Sequence, residues 1–177
     1  MMETTKGIFH WLANLFLKNQ YSKFGSILNS SKAWAKVPAL YFPFNLFFKA
    51  ISRKKSLIEE SLRTLISIRV SQLNNCPFCI DMNSYLYLKA NSKEKIKNLL
   101  LYRTSPIFSE KEKVALEYAE MVTLNKVDDD LRDKLQKHFT DEAIIELTAI
   151  AAFQNMSAKF NSALKVESNN LCERESN

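Results

Sequence analysis

The chain contains very little glycine: Gly7 and Gly25 are the only two among 177 residues. Tight β-hairpins depend on glycine where the backbone reverses, and phosphate-binding loops need glycine at fixed spacings. The shortage therefore argues against a hairpin-rich β fold and against a glycine-rich nucleotide site. Apolar residues make up 46% and charged residues 25% of the chain, which is ordinary for a globular protein. We expect one all-α domain whose core is stable without crosslinks.

Long apolar runs are also missing. Two of the longest, at residues 8–17 and 37–48, are shorter than the roughly 20 residues that a membrane-spanning helix needs. The N-terminus does not resemble a secretory signal, because Glu3 precedes a short apolar stretch and no small-residue cleavage site follows before Lys18. We therefore expect a cytoplasmic location. Thiols are kept reduced there, so a cysteine pair is more often catalytic, redox-active or metal-binding than a structural crosslink.

Acidic residues are nearly absent from the N-terminal third. Residues 1–58 carry nine Lys or Arg against one acid, whereas the remaining residues have a net charge of −2. Aromatic residues are interleaved with the basic ones, a pattern open to contact with an anionic membrane surface or with nucleic acid, but we favour a solvated rim on core helices. No nucleic-acid motif accompanies the charge, so we expect no nucleic acid partner. The aromatic wealth of residues 8–48 predicts self-association, although the same side chains could instead wrap a monomer.

Periodic apolar positions predict a string of helices. One helix, starting near Ser56, has acids in its first turn and buries a stripe formed by Leu62, Leu65, Ile66, Arg69, Val70 and Leu73. Ser109 and Glu112 predict a capping box. The stretch at 29–38 is interpreted as a connector, and the last helix is apolar enough to be a central core helix. The predicted helices cover residues 5–18, 39–53, about 56–73, 76–90, 93–103, 110–124, 128–139 and 140–166.

The sequence NNCPFC at residues 74–79 contains two of the three cysteines. Asn74 and Asn75 are turn and cap residues, and Pro77 suits a first helical turn, so a helix starts at Cys76 or Pro77. The positive end of the helix dipole favours thiolate over thiol. Sulfurs at positions i and i+3 face the same side, so one can attack an oxidant while the other resolves the product. This arrangement is typical of a dithiol redox site.

The sequence gives less support to a metal site or a thioredoxin-like fold around the cysteine pair. A structural zinc site needs four ligands, and the chain adds only the distant Cys172, His10 and His138. A thioredoxin fold needs strands, which the sequence does not predict. We therefore expect neither a metal nor a cofactor. Two buried core cysteines without activity stay an open alternative.

The stretch IRVSQLNNCPFCIDMNSYLYLKA, residues 68–90, resembles the core motif of the alkylhydroperoxidase-D-like branch of the carboxymuconolactone decarboxylase family. That motif runs Arg-Val-Ser-Gln, two loop residues, C-x-x-C and Asp-Met, and the resemblance extends over residues 33–165. It implies a compact all-α fold that assembles into trimers or hexamers. We divide the chain into a helical extension at 1–30, the family's helical domain at 31–166 and a polar, frayed tail at 167–177.

The resemblance also implies roles for individual residues. Cys79 matches the thiol that attacks a hydroperoxide, and Cys76 matches the thiol that resolves it as a disulfide. A dithiol partner, dihydrolipoamide or a thioredoxin-like protein, then restores the pair. The family relays protons through a Glu and a His, but Thr64 and Asn83 occupy those positions.

The replacement of the proton-relay Glu and His by Thr64 and Asn83 should affect the rate of peroxide reduction. Asn83 can hydrogen-bond a sulfur but cannot exchange a proton near neutral pH, and loss of a general base typically costs about 10²–10⁴-fold. Glu60, one turn before Thr64, is a candidate substitute or a solvated first-turn acid. Asp81 is interpreted as a packing or capping residue. Arg69 and Gln72 are expected to hydrogen-bond around the loop before Cys76.

Two functions of different classes follow. The first is a cysteine-dependent peroxidase or thiol-disulfide oxidoreductase in antioxidant defence. The second is a catalytically weak or inactive oligomeric helical scaffold or redox sensor. The intact C-x-x-C pair favours the first, and the missing Glu and His favour the second.

Overall fold

The computed structural model describes residue 11 and residues 15–174, so most of the helix predicted at 5–18 lies outside it. The described residues form helices and connecting turns and contain no strand, which confirms the all-α prediction. In chain order the elements are α1 at residues 15–24, α2 (Asn29–Trp34), α3 (Pro38–Ile51), α4 (Glu60–Leu73), α5 (Pro77–Leu88), α6 (Glu94–Lys97), a 3₁₀ turn (Leu99–Leu101), α7 (Glu110–Leu124), α8 (Asp129–Gln136), α9 (Asp141–Ala163) and α10 (Leu171–Arg174).

Helices α4 and α9 form the centre of the fold. Helix α4 packs against α5, α7 and α9, and its Leu65 and Ile66 are completely buried. Helix α9 contributes Leu147 and Ala151 to the same core, which confirms the prediction of a central core helix. Burying each large aliphatic side chain stabilises the fold by about 1.5–3 kcal/mol. In the predicted stripe of α4, Arg69 and Leu73 are only half-buried.

Local capping signals place several helix ends. Ser109 accepts a hydrogen bond from the backbone N–H of Glu112, and the Glu112 side chain accepts one from the Ser109 N–H, which confirms the capping box. Helix α7 ends at Asn125, whose left-handed backbone, with φ of 55°, suits asparagine better than a branched residue. Cys76 caps α5 and Pro77 is its first residue, as the sequence predicts.

The connector predicted at 29–38 is wrong, because most of it forms α2. Trp34 stacks against Phe160 of α9, with ring centroids 3.8 Å apart, and against Phe44 of α3 at 4.5 Å. Ser30 is buried and hydrogen-bonds to α9. Tertiary contacts therefore order a polar stretch whose local propensity favours a loop.

The prediction of a frayed tail is also wrong for residues 167–174, because these residues dock against α5. The Asp81 carboxylate accepts hydrogen bonds from the N–H groups of Leu171 and Cys172 and from the Ser168 hydroxyl. Burial raises the pKa of Asp81, but these hydrogen bonds outweigh it and hold the pKa below its ordinary value. The predicted capping role of Asp81 is thus confirmed, and the element that it caps is α10.

One predicted boundary moves by about a turn. Helix α4 begins at Glu60 rather than near Ser56, because Glu146 of α9 holds the preceding loop. Its carboxylate accepts hydrogen bonds from the Ser56 hydroxyl at 2.6 Å and the Leu57 N–H at 3.1 Å. Over the part of the chain that the structure describes, no helix is long and apolar enough to cross a membrane.

Candidate functional site

The two cysteines of the C-x-x-C motif lie together at the start of α5. Cys76 and Cys79 form a disulfide with their Cα atoms 5.3 Å apart. The backbone N–H of Cys79 donates to the Cys76 sulfur at 3.2 Å, so a sulfur serves as the helix cap. Both side chains are buried, at 0% and 2% exposure. Free N–H groups and the helix dipole surround the pair with positive potential, which favours thiolates after reduction.

A small cavity of about 110 Å³ opens onto one of the two cysteines. Cys79 lines this cavity and Cys76 does not. Most of the remaining wall is apolar and includes Phe78, Met82 and Phe153. A molecule in the cavity therefore lies against Cys79 and not against Cys76.

The side chain that contacts the Cys79 sulfur is Asn161 of α9. Its Nδ2 atom donates to the sulfur at 3.3 Å, and its Oδ1 atom accepts from the Ser30 hydroxyl at 2.8 Å. Asn161 is completely buried, and the bond from Ser30 fixes which side of the amide faces the sulfur. Sequence reasoning missed both residues. The available signal was an amide within an otherwise buried helix, where a polar group needs a partner.

Asn83 lies near the pair but does not contact a sulfur. Its Nδ2 atom donates to the backbone carbonyl of Cys79 at 2.8 Å and lies 3.4 Å from the Oε1 atom of Gln154. Gln154 in turn donates to the Ser71 hydroxyl at 2.9 Å. The expected Asn83–sulfur bond is thus replaced by a bond to the helix's own backbone.

Thr64 and Glu60 lie at a second cavity, of about 280 Å³, together with Asn83. The Thr64 hydroxyl donates to the backbone carbonyl of Glu60 at 2.8 Å. Glu60 is exposed, and none of the described hydrogen bonds joins its carboxylate to a sulfur or to Asn83. The structure brings the three predicted relay positions to one cavity without linking them into a chain.

The loop before Cys76 is held by residues other than those expected. Arg69 pairs with Glu120 of α7 and hydrogen-bonds Gln72 at 3.1 Å instead of binding the loop. The loop is fixed from α9, where the Asn155 side chain accepts from Asn74 at 2.8 Å.

The buried Glu120 forms a charged cluster with the cations around it. It pairs with Arg103 as well as Arg69 and is 4% exposed. Tyr102 lies beside it, and burial together with the negative charge of Glu120 raises the pKa of this phenol well above its usual range.

Neither histidine is found among the residues that the structure places at the cysteine pair. His10 falls outside the described residues, and His138 is exposed at the end of α8. Among residues 15–174 no group of three His, Cys, Asp or Glu side chains could hold a metal ion.

The described residues form an all-helical fold with a C-x-x-C pair at the start of α5, as expected for an alkylhydroperoxidase-D-like fold. A model of the carboxymuconolactone decarboxylase family matches residues 38–121. The chain is also 38% identical, over 152 residues, to the uncharacterized protein YnjA of Escherichia coli (strain K12), and the match covers 84% of each chain. The chain belongs to the carboxymuconolactone decarboxylase family, and the resemblance that the sequence showed is confirmed.

Solved structures share the fold at lower identity. A peroxidase-related protein from Ralstonia eutropha JMP134, described as an alkylhydroperoxidase AhpD core, is 20% identical with a TM-score of 0.78, covering 89% of this chain and 85% of that one. The debrominase Bmp8 is 22% identical with a TM-score of 0.79, covering 92% and 89%. At these identities the comparison shows the fold alone.

Proposed function

We propose that the protein is a cysteine-dependent peroxidase or thiol-disulfide oxidoreductase of antioxidant defence, acting through Cys79 and Cys76. The observation that carries the proposal is the cavity that opens onto Cys79, the cysteine expected to attack, and not onto Cys76. A dithiol in van der Waals reach of a small apolar cavity can reduce a small apolar oxidant. The peroxidase-related structures of the same fold support this reading.

The reaction balances with the residues present. The Cys79 thiolate attacks the terminal oxygen of a hydroperoxide, the O–O bond breaks, and the alkoxide takes one proton and leaves as an alcohol. Cys79 becomes a sulfenic acid. The Cys76 thiol attacks that sulfur, water leaves with the second proton, and the Cys76–Cys79 disulfide forms. The dithiol has lost two electrons and the peroxide has gained them. An external dithiol returns the electrons by exchange.

Asn161 supplies part of what the family's relay provides. It donates a hydrogen bond to the Cys79 sulfur, and a bond to a charged acceptor is about twice as strong as one to a neutral acceptor. An amide cannot carry a proton away, however. The proposed enzyme is therefore slower than one with a general base, by about 10²–10⁴-fold.

The narrow approach to the pair favours small reactants. Cys79 is 2% exposed, so a protein disulfide cannot reach it without movement of the surrounding helices. We therefore favour a hydroperoxide as oxidant and a slender dithiol such as dihydrolipoamide, rather than a thioredoxin-like protein, as reductant. The proposed compartment is the cytoplasm, where dithiols are kept reduced.

The proposed assembly is a homo-oligomer, a trimer or a hexamer. Helix α3 carries apolar side chains that the described chain does not cover: Leu40, Leu46 and Phe47 are 55%, 70% and 46% exposed. Exposed apolar patches of this kind mark interfaces.

A second candidate is a catalytically inactive oligomeric scaffold or redox sensor. One observation favours it: the side chains at both relay positions, Thr64 and Asn83, are engaged with backbone carbonyls of their own helices. Such side chains shape a helix surface and do no proton transfer.

One experiment separates the two functions. The protein is reduced, one equivalent of an organic hydroperoxide is added, and peroxide loss and intact mass are followed together. The peroxidase predicts rapid peroxide loss, a mass lower by two hydrogen atoms, and loss of activity in Cys79→Ser. Cys76→Ser should stop at an oxidised Cys79 after one turnover. Persisting thiols beside unreacted peroxide would contradict the peroxidase and favour the scaffold.

A further inference from the structure

We infer that Arg63 binds a carboxylate, and that the oxidant reduced at Cys79 is a small amphiphilic hydroperoxide carrying that carboxylate. The inference rests on the proposed function and names its class of substrate. Its basis is Arg63, whose guanidinium is incompletely hydrogen-bonded, at one cavity and Cys79 at the adjoining one.

Arg63 of α4 is a buried cation without a carboxylate partner. Its exposure is 9%, and none of the ion pairs within residues 15–174 includes it. Burial lowers the pKa of Arg63, and the more distant Glu60 and Glu146 raise it in part. The guanidinium nevertheless stays charged at neutral pH. Buried charges in proteins are normally paired, so this one calls for a partner.

The hydrogen bonds of Arg63 leave most of its donors available. Its Nη1 atom donates to the backbone carbonyls of Ile58 at 2.8 Å and Arg53 at 3.3 Å. These bonds hold the loop before α4 and account for one nitrogen. The Nε and Nη2 atoms have no hydrogen-bond partner among the described residues, although a guanidinium offers five N–H donors in a fork that fits a carboxylate.

Arg63 lines the cavity of about 280 Å³ that adjoins the one at Cys79. Six residues line both cavities: Phe48, Met82, Asn83, Leu86, Phe153 and Gln154. The two cavities are therefore adjacent, and the proposed ligand spans both, from Arg63 in one to Cys79 in the other. Four of the six shared side chains are apolar, so the body of that molecule is apolar.

The charges at the cavity favour a singly charged anion. The charged residues that line the cavity are Lys23, Glu60 and Arg63, so the lining carries one positive charge in excess. A carboxylate matches one guanidinium in charge and in bidentate geometry. The ligand thus has a carboxylate at Arg63, an apolar middle section and a hydroperoxide at Cys79.

The test uses three hydroperoxides that share one reacting group: cumene hydroperoxide, its para-carboxylate, and the methyl ester of that acid. Turnover is measured with dihydrolipoamide as reductant. We expect kcat/KM for the acid to exceed that for the ester by about 10–100-fold, the effect of a hydrogen-bonded charge pair. Arg63→Gln should abolish this preference. The control Arg53→Gln should keep it, because Arg53 pairs with Glu146 and is 46% exposed.

The outcomes separate the inference from the proposed function. If none of the three hydroperoxides is reduced, the function itself fails. If acid and ester react equally, or if Arg63→Gln keeps the preference, the function stands and the carboxylate site is overturned. Should Arg63→Gln not fold, the ¹⁵Nε resonance of Arg63 in the unaltered protein decides. 4-Isopropylbenzoate must shift it and its methyl ester must not, and any other result overturns the site.

Discussion

Replacing Asn161 with alanine tests how the site activates its thiol. The variant removes the hydrogen bond that Nδ2 donates to the Cys79 sulfur at 3.3 Å. A hydrogen bond to a charged group contributes about 1.5–3 kcal/mol, and one pH unit corresponds to about 1.4 kcal/mol. The midpoint of the Cys79 thiol titration should therefore rise by about 1–2 pH units. At a fixed pH below that midpoint, the thiolate fraction falls by about 10–100-fold.

The assay needs Cys79 as the only thiol. Because the chain has three cysteines, the background carries Cys76→Ser and Cys172→Ser. Iodoacetamide alkylation of Cys79 is then followed by mass across a range of pH, with and without Asn161→Ala. A matched control is Asn83→Ala, which removes the same kind of side chain from the same neighbourhood but one that binds a backbone carbonyl.

A folded Asn161→Ala variant with an unchanged titration midpoint would refute the reasoning. An equal rise in Asn83→Ala would also contradict it, because the effect would then belong to the polarity of the region. Ser30→Ala offers a graded check. It leaves the amide in place but removes the bond that orients it, so a smaller rise is expected. Circular-dichroism melts establish that each variant is folded, since the alanine leaves the buried Ser30 hydroxyl unpaired.

Three further perturbations test the framework around the site. Asp81→Ala should undock residues 167–174 at a cost of about 1.5 kcal/mol, the lower end for a half-buried charged acceptor, seen as faster hydrogen exchange there. Because the pKa of Asp81 is lowered on folding, this docking energy is present above about pH 4 and lost as the pH falls through the lowered pKa. Glu120→Gln should lower the free energy of unfolding by about 1.5–3 kcal/mol in urea, because it removes the charged hydrogen-bond partner of the half-buried Arg69. Ser109→Ala should cost about 1 kcal/mol in the same assay through loss of the α7 cap.

Each of these has a clear contrary result. Unchanged exchange in the tail after Asp81→Ala would mean that apolar contacts of Leu171 hold it instead. A loss below about 1 kcal/mol in Glu120→Gln, the range of exposed ion pairs, would mean that water screens the cluster. A Ser109→Ala melt that matches the unaltered protein would show that packing alone fixes the start of α7.

The sequence predicted those features whose causes are local. The start of α5 at Pro77 and the capping box at Ser109 depend on residues within one helical turn, and both are found. The central position of α9 follows from its apolar composition. Helix α2 was not predicted because most of its residues are polar. It is held in place by Trp34, which stacks on aromatic rings of other helices.

The sequence predicted the two thiols of the candidate site but not the residues that surround them. Cys76 and Cys79 are recognisable from spacing alone. Asn161 lies 82 residues after Cys79, and no local pattern announces which amide of α9 will face the sulfur. The docking of the tail was not predicted for the same reason, since Asp81, which accepts the hydrogen bond from Leu171, lies 90 residues before it in the chain.

The distance along the chain between the thiols and their amide has a consequence for protein synthesis. Chains are made at about 5–20 residues per second, so the 82 residues between Cys79 and Asn161 take about 4–16 s. For most of that interval α9, which begins at Asp141, has not been made. The thiols of the nascent chain are thus exposed to oxidants, reductants and chaperones before α9, the helix that will cover them, has been synthesised. The hydrogen bond from Asn161 to the Cys79 sulfur can form only once most of the chain has been made.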